Sequence, residues 1–145
     1  SAHEKKYLDI KELAKYCNAQ KTDDNFLIVE GIGGVMVPLN DHQTFLDLMA
    51  IIEMPVLLVT GSYLGTISHT LTAVRCLIDR GLMLSGIIVS ESIQSPTTLA
   101  ETVKTISRFV DSIPIISLPR LNVNGPPLND TDLPKIGQKI GLITN

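Results

Sequence analysis

The feature that most constrains this chain is an alternation between short, nearly unbroken apolar runs and longer stretches of helical period. Four runs stand out: Phe26 to Val29, Val56 to Val59, Gly86 to Val89, and Ile113 to Leu118. Runs this short, without polar alternation, suit strands buried on both faces, as in a parallel sheet covered by helices. Four apolar stripes of helical spacing accompany them: Ile10, Leu13, Ala14 and Cys17; Phe45, Leu48, Met49 and Ile52; Ile67, Leu71, Val74 and Leu77; and Leu99, Val103, Ile106 and Val110. Gly81 is placed as the C-cap of the third stripe and Pro96 in the first turn of the fourth. With right-handed crossovers, helix and strand in strict alternation predict an α/β fold, a doubly wound, mainly parallel sheet with helices on both faces. From Asn122 to Pro134 the chain is rich in Asn, Pro, Gly and Asp without period, and reads as a loop before a weak last helix. No repeat or linker divides the chain, so residues 1–145 are expected to form one domain.

Composition narrows the function classes. Twelve Lys and Arg stand against 15 Asp and Glu, a formal net charge of -3, with 44% hydrophobic residues. No basic run exceeds Lys5-Lys6 and Trp is absent, so nothing marks a nucleic-acid or anionic-membrane surface. The length suffices to bury roughly 68% of the unfolded surface. Cys17 and Cys76 sit at buried helix positions and form no CxxC pair, which reads as two core thiols in a reducing compartment. No apolar run approaches the roughly 18 residues of a membrane span and no signal peptide is seen, so a cytoplasmic location is expected. The chain begins at Ser1 rather than Met, so the gene start is not in view.

In a parallel sheet of this kind, ligands gather beyond the carboxyl ends of the strands. After the first run comes Glu30-Gly31-Ile32-Gly33-Gly34. A carboxylate closing a buried strand is costly unless paired, and a metal ion or its water is one such partner. A local cap or ion pair is the other. A dinucleotide fingerprint fails, because Met36 stands where it needs glycine. After the second run, Thr60-Gly61-Ser62-Tyr63-Leu64-Gly65-Thr66-Ile67-Ser68-His69 leads into the longest helix. Its first amides and dipole attract an anion, while ordinary capping by Thr66 or Ser68 explains the same residues. Ser62 is not set in a G-x-S-x-G elbow, which argues against a hydrolase. His3 and His42 lack spaced partners for zinc. Ser90-Glu91 and Pro119-Arg120-Leu121 follow the third and fourth runs and, taken alone, are ordinary strand exits.

Together, LIVEGIGGVMVPL and the stretch TFLDLMAIIEMPVLLVTGSYLGTISHTLTAVRCLIDRGLMLSGIIVSES resemble the dethiobiotin synthetase family. The family pattern VEGxGG, lPVilV, GxxLGtiNHtlLT and G-hhhN runs from Phe26 to Ser90 without a gap. Ser1-Ala2-His3 is similar to the family's Ser-Pro/Ala-His element, and Ile116 to Leu121 to its closing strand and Pro-x-Leu turn.

The resemblance implies a P-loop NTPase-type α/β fold, a homodimer, and an ATP- and Mg²⁺-dependent cyclo-ligase. Such an enzyme makes dethiobiotin from 7,8-diaminopelargonate and CO₂ in biotin biosynthesis. It implies Glu30 at Mg²⁺ and the nucleotide phosphates, with Gly31, Ile32 and Gly33 beside it. Gly65, Thr66 and position 68 would meet the substrate carboxylate across the dimer. Ser90, Glu91, Pro119, Arg120 and Leu121 would surround the nucleotide base.

The chain also departs from the family. Its 145 residues contain no G-x-x-x-x-G-K followed by Ser or Thr, so the family's first strand, phosphate loop and catalytic lysine are expected upstream of Ser1. No catalytic residue is expected in these 145 residues, which alone are expected not to turn over. Ser68 and Ser90 each stand where the family usually has Asn. The alternative is a non-catalytic synthetase-like module for ligand binding or dimerisation.

Overall fold

The computed structural model describes residues 8–22, 27–120 and 138. Its contacts group into two compact units, Ser1–Met54 with Cys76–Met83, and Pro55–Arg75 with Leu84–Asn145. The elements run α1 (Ile10–Ala19), α2 (Phe45–Ile52), β1 (Val56–Gly61), α3 (Thr66–Asp79), β2 (Leu84–Ser90), α4 (Leu99–Ser107) and β3 (Ile115–Leu118).

In the first unit α1 and α2 form a small core. Ile10, Ala14 and Cys17 of α1 bury against Leu48 and Ile52 of α2, with Val29, Leu39 and Phe45 packed on them. Asp9 caps α1, its carboxylate accepting the Lys11 amide at 2.8 Å. At the other end of α2, Glu53 adopts a left-handed conformation with φ 54°. Gly81, with φ +77°, ends α3: its N–H donates to the Ile78 carbonyl and that of Leu82 to the Leu77 carbonyl. This pair of bonds is a Schellman closure, which requires a residue tolerant of positive φ, and it meets the C-cap expectation.

In the second unit β1, β2 and β3 form a parallel sheet in that order. Leu58, Ile87 and Ile115 pair in one row, and they share a core with Val89, with Ile67, Leu71 and Val74 of α3, and with Leu99, Val103 and Ile106 of α4. Strands joined in parallel need a crossover, and α3 and α4 supply the two here. The chain is therefore α/β with a parallel sheet, as the apolar runs indicate.

Two boundaries differ from expectation. Leu27 to Glu30 lie outside any strand, and Phe26 lies outside the described residues. An apolar run becomes a strand only with a hydrogen-bonded neighbour, and among the described strands it has none. Val29 joins the helical core of its unit while Ile28 is 75% exposed. Pro96 lies ahead of α4 rather than in its first turn. The helix starts at Leu99 because Thr98 and Glu101 form a capping box. The 122–134 loop, Ser1-Ala2-His3 and Leu121 lie outside the described residues. Among the described residues, no helix is long and apolar enough to cross a membrane.

Candidate functional site

The carboxyl ends of β1, β2 and β3 open onto one pocket of about 720 Å³, lined by residues that follow each strand. Thr60, Gly61 and Tyr63 come from the β1 exit, Ser90 to Gln94 from the β2 exit, and Arg120 from the β3 exit. Parallel strands place such a crevice at their carboxyl ends by construction, since all the strand-to-helix loops lie on that side.

The β1 and β2 exits are tied to each other. The Ser62 amide donates to Ser92 Oγ at 3.0 Å, and the Ser92 amide donates to Ser62 Oγ at 2.9 Å. The Ser95 hydroxyl adds a 2.6 Å bond to the Ser62 carbonyl. A Cβ on Gly61 would sit 2.7 Å from Ser92 Oγ, so the close approach of the two loops requires glycine there.

Beneath the β1 exit runs a chain of hydroxyls. Thr70 Oγ1 donates to Thr60 Oγ1 at 2.9 Å, and Thr66 Oγ1 donates to the Gly61 carbonyl at 2.6 Å. Each hydroxyl has one proton, so the 3.0 Å contact between Thr60 and Thr66 is a donation from Thr60 to Thr66. Thr66 is therefore a strut between the start of α3 and the strand end, 3% exposed, and not the helix cap considered from sequence. Gly65, with φ +91°, precedes the helix and its carbonyl accepts the His69 amide at 3.1 Å. Ser68 is exposed on the first turn. Tyr63 closes the loop from above, its hydroxyl 3.2 Å from His69 Nδ1.

The β3 exit is tied to β2 through Glu91. Its amide donates to the Leu118 carbonyl at 2.9 Å, extending the ladder past Ser90. Its carboxylate accepts the Arg120 amide through Oε2 at 2.9 Å. Ser90, Glu91 and Arg120 thus share the pocket wall, while Pro119 is exposed and outside its lining.

Glu30, Gly31, Ile32 and Gly33 belong to the other unit. Glu30 is exposed on irregular backbone, not at the end of a buried strand, because Leu27 to Glu30 form no strand. A Cβ on Gly31 would lie 2.5 Å from the Phe45 ring, so the backbone there presses on the first turn of α2. Gly33 has φ +95°, and Gly34 faces open space. Ile32 is 92% exposed. Among the described residues, no three His, Cys, Asp or Glu side chains form a metal cage. A lone carboxylate beside open backbone suits Mg²⁺, which takes one or two carboxylates and fills its other positions with water and phosphate.

The family model described as AAA domain matches residues 1–127. The chain belongs to this family. Curated relatives agree with the resemblance read from the motifs. An ATP-dependent dethiobiotin synthetase of Caulobacter sp. (strain K31) is 42% identical over 113 residues, 78% of this chain and 49% of the relative. One of Caulobacter vibrioides (strain NA1000 / CB15N) is 48% identical over 98 residues, 68% of this chain and 44% of the relative. One of Phenylobacterium zucineum (strain HLK1) is 44% identical over 101 residues, 69% and 43%. The chain thus spans about half the length of the relatives it matches.

Ser90, Glu91 and Arg120 are the pocket-lining residues that the motifs assign; Thr60, Gly61, Tyr63, Ser92, Ile93 and Gln94 line it as well and carry no motif assignment. Their only sequence signal is position, within four residues of a strand's carboxyl end.

Proposed function

We infer that this chain is part of an ATP-dependent dethiobiotin synthetase, a cyclo-ligase that forms dethiobiotin from 7,8-diaminopelargonate and CO₂. The observation that carries this reading is the pocket beyond three parallel strands, in a chain 36–48% identical to several dethiobiotin synthetases. In this reading Ser90, Glu91 and Arg120 hold the nucleotide base, with Pro119 and Leu121 beside them. Glu30 is a ligand of Mg²⁺, and Gly31, Ile32 and Gly33 let the backbone approach the phosphates. ATP with Mg²⁺, when bound, supplies the phosphoryl group and the charge neutralisation that activate a carbamate for ring closure. Gly65, Thr66 and Ser68 meet the substrate carboxylate from a second copy of the chain. Thr66 backs this contact from behind, its hydroxyl donating to the Gly61 carbonyl and its amide to the Tyr63 carbonyl at 3.1 Å. The work of these residues is positioning, which suits a reaction with no protein nucleophile. The enzyme is expected to act in the cytoplasm as a homodimer.

The test is product formation by the protein expressed from its whole gene. Release of ADP that depends on 7,8-diaminopelargonate, bicarbonate and Mg²⁺, with dethiobiotin detected by mass, is the expected result. ADP release indifferent to diaminopelargonate would overturn it.

A second reading is a non-catalytic synthetase-like module for ligand binding or dimerisation. It is favoured by serine at 68 and 90, where the family resemblance leads one to look for Asn. Nucleotide binding without turnover in the same assay is its signature.

A further inference from the structure

We propose that Tyr63 is the aromatic wall against which the base of ATP lies, and that His69 is the residue that positions it; this rests on the reading that the pocket receives a nucleotide. The lining is mostly polar, with Thr, Ser, Gln, Glu and Arg side chains. A purine forms hydrogen bonds only at its edges, and both of its faces are left to apolar contact. Among the described residues that line the pocket, Tyr63 alone is aromatic, and it is 40% exposed. An open ring in a polar pocket offers a stacking surface, which any base can use because each has a π face.

The ring is held at both ends. At the backbone, the Tyr63 carbonyl accepts the Thr66 amide at 3.1 Å. A Cβ on Gly61 would stand 2.8 Å from Tyr63 Cδ1 and 3.3 Å from Cε1, so this edge of the ring lies over the glycine that ends β1. At the far end the hydroxyl is 3.2 Å from His69 Nδ1. The two rings also meet, with centroids 5.8 Å apart and planes tilted by 42°, within the range over which aromatic rings attract. A phenol hydroxyl and an imidazole nitrogen can each donate or accept, so this bond persists in either tautomer of His69. The imidazole is seated in turn. A Cβ on Gly65 would lie 3.4 Å from His69 Cε1, and the His69 amide donates to the Gly65 carbonyl at 3.1 Å. Tyrosine turns about only two side-chain bonds, and the contacts at Gly61 and His69 restrain both. His69 therefore acts without touching the nucleotide, by keeping the Tyr63 ring on the pocket wall instead of free in solvent.

The experiment is calorimetric titration with ATP and Mg²⁺ of the protein expressed from its whole gene, and of variants at these two positions. Tyr63→Ala removes the stacking surface and is expected to weaken ATP about 10- to 100-fold. His69→Ala removes only the anchor, and the loss of about one hydrogen bond is expected to weaken ATP about 3- to 10-fold. Tyr63→Phe keeps the ring without its hydroxyl and is expected to match His69→Ala. His69→Asn sets a hydrogen-bonding atom near the place of Nδ1 and is expected to recover part of the affinity. On the Tyr63→Ala background, His69→Ala is expected to change nothing further. ATP affinity indifferent to Tyr63→Ala overturns the proposal. So does an equal loss from His69→Ala with and without the Tyr63 ring, which would show that His69 acts by another route. If Tyr63→Ala does not fold, Tyr63→Leu, which keeps an apolar side chain and loses the π face, takes its place with the same expected direction. These outcomes leave the pocket a nucleotide site, whereas failure of the unaltered protein to bind ATP overturns the nucleotide reading and the proposal with it.

Discussion

Ser62 and Ser92, thirty positions apart, each donate a backbone amide to the other's hydroxyl, at 3.0 and 2.9 Å. The reciprocity means that neither amide is left bare where the two loops meet, and Ser62 is only 1% exposed. The two strand exits that frame the pocket are therefore one rigid piece, so Glu91 and its neighbours are presented on a fixed wall and not on a free loop.

Truncating either serine should break both the bond it accepts and the packing of the partner loop. Ser92→Ala leaves the buried Ser62 amide unpaired, a cost of about 1–3 kcal/mol. Ser62→Ala should cost a similar amount through the Ser92 amide. Because each residue supports the other, the double variant should be less destabilised than the sum, with a coupling of about 0.5–3 kcal/mol. Urea unfolding of the four proteins measures it, and strict additivity would show that the staple is not cooperative.

The hydroxyl chain from Thr70 through Thr60 and Thr66 to the Gly61 carbonyl has a direction fixed by proton count. Thr70→Val removes the first donor but leaves Thr60 its own donation to Thr66. Thr66→Val takes away the acceptor for Thr60 and the donor to Gly61, interrupting two bonds where Thr70→Val interrupts one. At about 1 kcal/mol net per bond, Thr66→Val should lose roughly twice the stability of Thr70→Val. Chemical denaturation separates the two, and equal losses would refute the direction.

Much of this architecture is legible in local pattern. The stripes from Ile10, Phe45, Ile67 and Leu99 each mark a helix, and the apolar runs at Val56, Gly86 and Ile113 each mark a strand. What fails is whatever depends on a distant partner. The run before Glu30 has strand composition, yet a strand exists only with a neighbour to bond. The Ser62–Ser92 exchange leaves no trace in either loop's own composition, because a serine in a loop is ordinary. Thr66 reads as a helix cap by position, and only the nearness of Gly61 shows that its proton goes elsewhere.

Two capping carboxylates should make stability fall in acid. Glu101 is held below its ordinary 4.5, chiefly by the Thr98 hydroxyl and then by the Thr98 amide. Asp47 is held below 3.8 by the Thr44 amide, then by the Thr44 hydroxyl, with a smaller contribution from Arg80, whose guanidinium lies 3.0 Å away. Depressed folded values mean that these carboxylates stabilise fully above their ordinary range, and that the contribution is lost as pH falls through the folded values. The urea midpoint should therefore decline between about pH 5 and pH 3, and less steeply in Glu101→Gln or Asp47→Asn. Identical slopes in the variants would place the acid sensitivity elsewhere.

Gly31 stands close against Phe45: an added Cβ would lie 2.5 Å from the ring. The ring is no loose end: Phe45 is the first residue of α2, and its amide donates to the Val37 carbonyl at 2.9 Å. It also packs on the core formed by Ile10, Ala14, Leu48 and Ile52. Gly31→Ala must therefore push either the ring or the loop that carries Glu30. Overpacking of this kind costs about 1–3 kcal/mol, and Phe45→Leu, which removes ring atoms at the point of contact, should recover part of it. The double variant is thus expected to be more stable than the sum of the single losses implies. If Glu30 binds Mg²⁺ through the position this contact sets, Gly31→Ala should also weaken Mg²⁺-dependent nucleotide binding, and Phe45→Leu should restore it in parallel. Recovery of stability without recovery of binding would show that the Gly31–Phe45 contact serves the helical core alone.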